Sequence, residues 1–187
     1  MICSPVGEWI LYTDYLVKEN IVRHEFSILG RLRFLLVEKY VEHYTRKLHA
    51  VMGASDLVLS HPVDVRDVIR HALPFISPQL TGEAILTIGS AIREIATSVC
   101  GVISIGPFGC MPSRIAESIL NEAMHRETKV ASDPNNAHLG KTLSEFDELP
   151  FLSIESDGSP FPQIINAKLE AFCLRAARLH EAMKTAL

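Results

Sequence analysis

The sequence lacks the motifs and charge patterns that assign many proteins to a common functional class. It contains no GxGxxG, Walker-type, GxSxG or HExxH motif, which excludes the most familiar nucleotide-binding, hydrolase and zinc-protease sites. Its 18 basic and 22 acidic residues give a formal net charge of -4, so nucleic acid is not an expected partner. A basic N-terminal region followed by a long apolar run is also missing, so we expect a cytoplasmic protein with no signal peptide and no membrane partner.

Cysteine is scarce and widely spaced, with no CxxC pair, so the four cysteines do not resemble a secreted disulfide framework. Each is therefore a core residue, a ligand or a nucleophile. Cys100 precedes a predicted strand and would lie roughly 20 Å from Cys110 at about 3.3 Å per residue, too far to share a metal. Cys173 falls on the apolar side of the last predicted helix, where we expect it to pack in the core.

The length of 187 residues and 48% apolar content are typical of one compact domain, and we expect a single α/β domain over 1–187. Its first part, 1–53, is expected to be mainly helical. Apolar residues recur at helical spacing from Phe26 to Met52, and Gly53 is a plausible end. We expect this helix to pack on the protein's own sheet, and a homodimer through its Leu36 to Val51 portion is the alternative.

Three short apolar runs predict β-strands, and helical patterns separate them. The strands lie within "SDLVLSHP" (55–62), "GVISIG" (101–106) and "FLSIES" (151–156). Helices are predicted from a cap at Asp64 to Ala72, from a cap at Thr81 to Cys100, from Pro112 to about Glu127, and from Gln163 to Met183. The polar segment 129–150 is either a mobile loop or contains a short helix. This alternation predicts a three-layer, mainly parallel sheet of the flavodoxin or Rossmann-like kind, flanked by helices.

The carboxyl ends of parallel strands meet at one edge of the sheet, where ligands usually bind. The three predicted strands run into "SHPVD", "GPFGCMP" and "ESDGSPFP". We therefore expect five polar side chains to share this edge: His61, Cys110, Glu155, Ser156 and Asp157.

The loop around Cys110 is the strongest candidate site. A cysteine just before a helix has its thiolate form favoured by the helix N-terminus, and thiolate binds metals and attacks electrophiles. Gly106 and Gly109 let the backbone approach whatever the sulfur holds, and Pro107 and Pro112 stiffen the loop. Four residues of this loop are candidates for contact with a cofactor: Gly106, Pro107, Phe108 and Gly109. The alternative is that Cys110 is a small buried apolar residue in a tight turn.

The other candidates carry weaker signals. Glu155 and Asp157 follow a strand and could bind a metal or a hydroxyl, or cap the last helix. Cys3 and His61 are further candidate metal ligands, although no close Cys or His partner supports Cys3 and an ordinary solvent-exposed loop histidine is the favoured interpretation of His61. A nucleophilic Cys110, oriented by His61 or an acidic neighbour acting as base, is a third reading of the same residues.

Four segments resemble, in order and spacing, the C-terminal region of the 2-hydroxyacyl-CoA dehydratase and activase-related superfamily. They are "GEAILTIGSAI", "GVISIGPFGCMPSRIAESIL", "FLSIESDGS" and "AKLEAFCLRA". The resemblance extends roughly from Leu73 to Ala177, and "PFGCMP" is its most specific element. The phosphate-binding motifs of the activase ATPase are absent from this sequence.

The resemblance implies an iron-sulfur protein in which cysteines from separate domains hold the cluster and an ATP-driven activator supplies electrons. Cys110 would be a cluster ligand, with Cys3 and His61 as further candidates, and other domains or subunits would complete the site. The expected function is electron transfer in support of CoA-thioester dehydration or reduction, with no activity of the chain alone, as part of a larger multidomain protein. The alternative is a non-catalytic partner- or ligand-binding module with a structural Cys110.

Overall fold

The computed structural model describes residues 9–13, 15–16, 28–54, 63–80, 82–160 and 162–185. Residues 9–13 and 15–16 are helical. The longer elements are listed in chain order: α1 (Ile28–Gly53), α2 (Val65–Ala72), α3 (Ala84–Glu94), β1 (Val102–Pro107), α4 (Met111–Ala123), α5 (Arg126–Ser132), α6 (Ala137–Thr142), β2 (Phe151–Ser156) and α7 (Gln163–Thr185). None of these helices is long and apolar enough to cross a membrane.

The chain divides into two compact units, residues 1–67 and 68–187. In the first unit, α1 ends at Gly53 as the sequence predicts. Large apolar side chains on α1 are exposed, among them Leu36, Tyr40 and Val51. Tyr40 stacks on Tyr44 with ring centroids 4.5 Å apart, so part of this surface is covered by its own side chains.

The second unit contains a parallel pair of strands. β1 and β2 pair in register from Val102 with Phe151 to Pro107 with Ser156. The mixed α/β class and two of the three predicted strands are thus confirmed. The strand predicted within 55–62 lies outside the described residues, and the sheet has two strands in the part of the chain that is described.

Helix α3 supplies the centre of the core in the second unit. Ile85, Ile88 and Ile92 recur at helical spacing and are fully buried. Leu120 of α4 is also fully buried, and α4 packs on α3. The absence of a side chain at Gly89 lets α3 approach the Val68 carbonyl of α2, because a Cβ there would collide with that oxygen.

Two predicted helix boundaries need correction. The helix expected to reach Cys100 ends at Glu94, because Ala96 takes a left-handed conformation (φ 60°) and its N–H donates to the Val99 carbonyl.

The cap at Asp64 is confirmed, since its Oδ1 accepts a hydrogen bond from the Arg66 N–H at 3.0 Å. Thr81, the other predicted cap, lies outside the described residues.

The helix predicted from Pro112 to about Glu127 is interrupted after Ala123. His125 is extended and forms an antiparallel bridge with Glu148, and the Leu149 N–H donates to the Met124 carbonyl at 2.8 Å. These long-range bonds replace helical ones at that point. The polar segment 129–150 then contains the end of α5 and all of α6, so the short-helix alternative is the right one for this segment.

Lys129 on α5 is a buried cation, with only 1% of its surface exposed. Its Nζ donates to the carbonyls of Ile92 at 3.0 Å and Arg93 at 2.7 Å. Both carbonyls belong to the last turn of α3, where the backbone C=O groups of a helix have no N–H partner within the helix. Burial lowers the pKa of Lys129 from its ordinary 10.5 to about 8, although nearby Asp133 and Glu94 oppose this shift.

We expect Gly89→Ala to cost at least about 2 kcal/mol in the free energy of unfolding, because the new methyl group has no space beside the Val68 carbonyl. Gly140→Ala on α6 is the matched control, since no atom lies within 4 Å of a Cβ there. Better helix propensity should make this variant neutral or more stable by up to about 1 kcal/mol. Urea unfolding measures both values, and equal effects of the two changes would contradict this packing.

The free energy of unfolding should increase with pH, because the folded protein holds Lys129 in a site that disfavours its charged form. Its pKa is about 8 in the folded protein and 10.5 when unfolded, so the unfolded chain binds more protons between these values. We expect the wild type to gain about 2 to 3 kcal/mol between pH 7 and 10 relative to Lys129→Met. Urea unfolding across this range tests the difference. The exposed control Lys184→Met should follow the wild type, and parallel pH curves for the wild type and Lys129→Met would refute the prediction.

Candidate functional site

The carboxyl ends of β1 and β2 bring the two candidate segments together. Gly106 pairs with Glu155 and Pro107 with Ser156, and the Phe108 N–H donates to the Ser156 carbonyl at 3.0 Å. The loop that carries Cys110 therefore lies at the same edge of the sheet as Glu155, Ser156 and Asp157, as expected. His61, the fifth residue predicted for this edge, lies outside the described residues.

A tight turn and the start of α4 fix the position of Cys110. The Cys110 N–H donates to the Pro107 carbonyl at 3.1 Å, and Gly109 between them has φ +74°, a conformation that favours glycine. Cys110 is the N-cap residue of α4, and its carbonyl accepts the Arg114 N–H at 3.0 Å. Pro112 lies in the first turn, where its missing N–H costs nothing. The half-buried thiol is thus held where the strand turns into the helix.

Helix α4 lies directly against the end of β1. A Cβ at Gly106 would come within 2.5 Å of Ser113 Oγ and 2.7 Å of Ser113 Cβ. Only a residue without a side chain fits at this point of the strand. The role of Gly106 is therefore structural: it allows the first turn of α4 to pack closely on β1, and this role does not depend on a ligand.

Arg114 forms a charged cluster at this edge that the sequence analysis missed. One of its guanidinium nitrogens, Nη1, lies 2.7 Å from Glu117 Oε2 and 3.4 Å from Glu155 Oε2. Glu155 is consequently engaged with a cation. The i, i+3 spacing of Arg114 and Glu117 predicts their pairing, but the contact with Glu155 depends on the strand register.

Asp157 stabilises the turn that follows β2. Its Oδ1 accepts the Ser159 N–H at 2.9 Å, and the Ser156 hydroxyl oxygen accepts the Gly158 N–H at 3.1 Å. Hydrogen bonds from Ser159 lower the pKa of Asp157. Capping of the last helix, one of the two roles considered for Asp157, is not what the structure shows, because its Oδ1 bonds within this turn and α7 begins only at Gln163.

The other cysteines do not join Cys110. Cys100 precedes β1, at the end of the strand opposite the Cys110 loop, as expected. Cys173 is exposed, which corrects its predicted place in the core. The inward side of α7 is formed by Ala176 and Leu179, and Cys173 falls beside that face. Cys3 lies outside the described residues.

The described residues do not provide the ligand set of an iron-sulfur cluster. No group of three or more His, Cys, Asp or Glu side chains in the described part of the chain could hold a metal ion. Cys110 is a lone thiol there, Glu155 contacts Arg114, and Asp157 bonds to its own turn. A cluster therefore does not fit these residues alone.

Two large apolar side chains flank the thiol and face solvent. Phe108 is 77% exposed and Met111 is 69% exposed. Phe108 is one of the residues predicted for cofactor contact, whereas Met111 carries no distinct sequence signal. The loop thus presents an apolar surface around Cys110, and Pro107 and Pro112 restrict the backbone at its two ends.

A second concave region lies away from this edge, between segment 145–150 and α7. Its volume is about 200 Å³. Arg175 donates to Glu148 at 3.1 Å, and the Arg178 guanidinium lies 5.9 Å from the centre of the Phe146 ring. Both arginines that line it are thus engaged, Arg175 with Glu148 and Arg178 with Phe146, so the Cys110 edge is the better candidate site.

Comparison of the chain with protein-family models finds no match, and comparisons with curated proteins and with solved structures find none either. The case for function therefore depends on the geometry of the Cys110 edge and on the sequence resemblance.

Proposed function

We propose that the chain is a non-catalytic partner-binding module of a dehydratase/activase-like system, and that its Cys110 loop contacts the partner. The observation that carries this proposal is the exposure of Phe108 and Met111 on either side of Cys110. A loop with a restricted backbone loses little backbone entropy on binding, and aromatic side chains and methionine are enriched at protein–protein interfaces. The sequence resemblance supplies the class of partner, namely the other domains or subunits of such a system.

The neighbours of Cys110 favour binding over nucleophilic catalysis. A cysteine nucleophile needs a base within hydrogen-bonding reach. The acidic candidates near this loop are engaged, Glu155 with Arg114 and Asp157 with Ser159. Neither described acidic neighbour is free to act as that base, and His61, the other candidate, lies outside the described residues. Among the described residues the thiol is therefore better suited to contact or ligation than to attack on a substrate.

A narrower form of the iron-sulfur hypothesis is part of the same proposal. Cys110 would supply one thiolate to a cluster, and the remaining ligands would come from the partner, or from Cys3 and His61 of this chain. Thiolate at a helix N-terminus is a suitable cluster ligand. Such a site would serve electron transfer to CoA-thioester dehydration or reduction.

The wider architecture and the cellular location also belong to this proposal. A three-layer, mainly parallel sheet would continue the parallel pair beyond β2, on the side away from β1. The cysteines at 100, 110 and 173 are free thiols, as is usual in the reducing cytoplasm.

The binding proposal is tested with a purified 2-hydroxyacyl-CoA dehydratase and its ATP-driven activator as probes, under anaerobic conditions. We expect the wild-type chain to bind one of them and Phe108→Asp to bind at least about tenfold more weakly, because a charge would enter an apolar interface. Leu174→Asp on α7 is the matched control, since Leu174 is also about 70% exposed, and it should bind normally. Biolayer interferometry gives the affinities.

Absence of binding by the wild type, or equal affinities for the wild type and Phe108→Asp, would contradict the docking proposal. Addition of iron and sulfide to the mixture separates the cluster hypothesis from docking. A cluster that uses Cys110 predicts iron in the wild-type complex and its loss in the Cys110→Ser complex. If the complexes contain no iron and their affinity is normal, the docking proposal stands and the cluster hypothesis is wrong.

A further inference from the structure

Strand β1 has one edge that no described residue covers. The N–H groups of Val102 and Phe108 donate to β2 and its flanks, at Pro150 and Ser156. Backbone groups alternate in direction along a strand, so those of Ser104 and Gly106 also point toward β2. The N–H and C=O groups of Ile103 and Ile105 therefore point away from β2, to the open edge.

The same two residues expose apolar side chains. Ile103 pairs with Leu152 and Ile105 with Ile154, so all four lie on one face of the sheet. Leu152 and Ile154 are buried, whereas Ile103 is 41% and Ile105 is 64% exposed. The half of this face that lies along the open edge is thus apolar and uncovered.

β1 also lacks the devices that usually prevent edge pairing. Open edge strands in soluble proteins normally carry charged side chains, prolines or bulges. The sequence "VISIGP" has no charge, and its proline is the last residue of the strand. Such an edge is suited to pairing with another strand.

We propose that this edge pairs with the same edge of a second copy of the chain, antiparallel, about a two-fold axis at Ser104. The open groups of Ile103 and Ile105 are placed symmetrically on either side of Ser104. Ile103 of each copy would then exchange two main-chain hydrogen bonds with Ile105 of the other. One two-fold operation therefore satisfies the open groups of both copies and packs four isoleucines together.

The area available sets the strength of this dimer. Two partly exposed isoleucines per chain bury well below the roughly 800 Å² per partner of a standard interface. The four hydrogen bonds and the isoleucine cluster should therefore give a reversible dimer with a Kd on the order of 1 to 100 μM. This contact uses neither Phe108 nor Met111, so it is independent of the proposed docking loop.

Sedimentation velocity over a range of protein concentrations tests the dimer. We expect a monomer–dimer equilibrium for the wild type and at least a tenfold higher Kd for Ile105→Lys. Leu174→Lys, which alters a comparably exposed apolar residue on α7, should dimerise like the wild type. A wild type that stays monomeric up to about 500 μM, or variants that dimerise equally, would overturn the proposal.

Amide hydrogen exchange of the wild type keeps the test decisive if Ile105→Lys does not fold. The amides of Ile103 and Ile105 should exchange more slowly as the protein concentration rises, while those of Val102 and Ser104 should not change. Protection of Ile103 and Ile105 that is independent of concentration would mean that another part of the same chain covers the edge, and would overturn the proposal. Fast exchange at every concentration would also overturn it.

Discussion

The parallel pairing of β1 with β2 is the constraint on which the candidate site depends. These strands are far apart in sequence, and three helices connect them. Their register brings the Cys110 loop and the Glu155 to Asp157 segment to one edge. No local feature of either segment could place them together.

The close contact between β1 and α4 fixes the position of the Cys110 loop relative to the strand pair. Because Gly106 has no side chain, Ser113 can approach the strand, and the helix begins immediately after the turn. Cys110, as the N-cap residue, is thereby tied to both elements. The exposed Phe108 and Met111 are presented by a loop with little freedom to relax, which is the physical reason to regard it as a binding surface.

The sequence predicts local features well and long-range contacts poorly. Apolar runs located β1 and β2, helical spacing located α1 and α7, and the rule for parallel strands anticipated that Cys110 and Glu155 would lie at the same edge of the sheet. By contrast, the side-chain contact between Arg114 and Glu155 and the break of the helix near His125 depend on which groups of distant segments touch, and strand order alone does not reveal that. The burial of Lys129 and the exposure of Cys173 were missed for the same reason, because a pattern along one helix does not reveal which neighbour covers it.

The central claim, that close packing at Gly106 fixes α4 and Cys110 on the sheet, is tested by a double-mutant cycle. The free energies of unfolding would be measured in urea for the wild type, Gly106→Ala, Ser113→Gly and the double variant. We predict that Gly106→Ala costs about 2 kcal/mol and that the cost falls by about 1 kcal/mol or more when Ser113 is also replaced by glycine, since the colliding atoms are removed. Strictly additive effects would contradict the account.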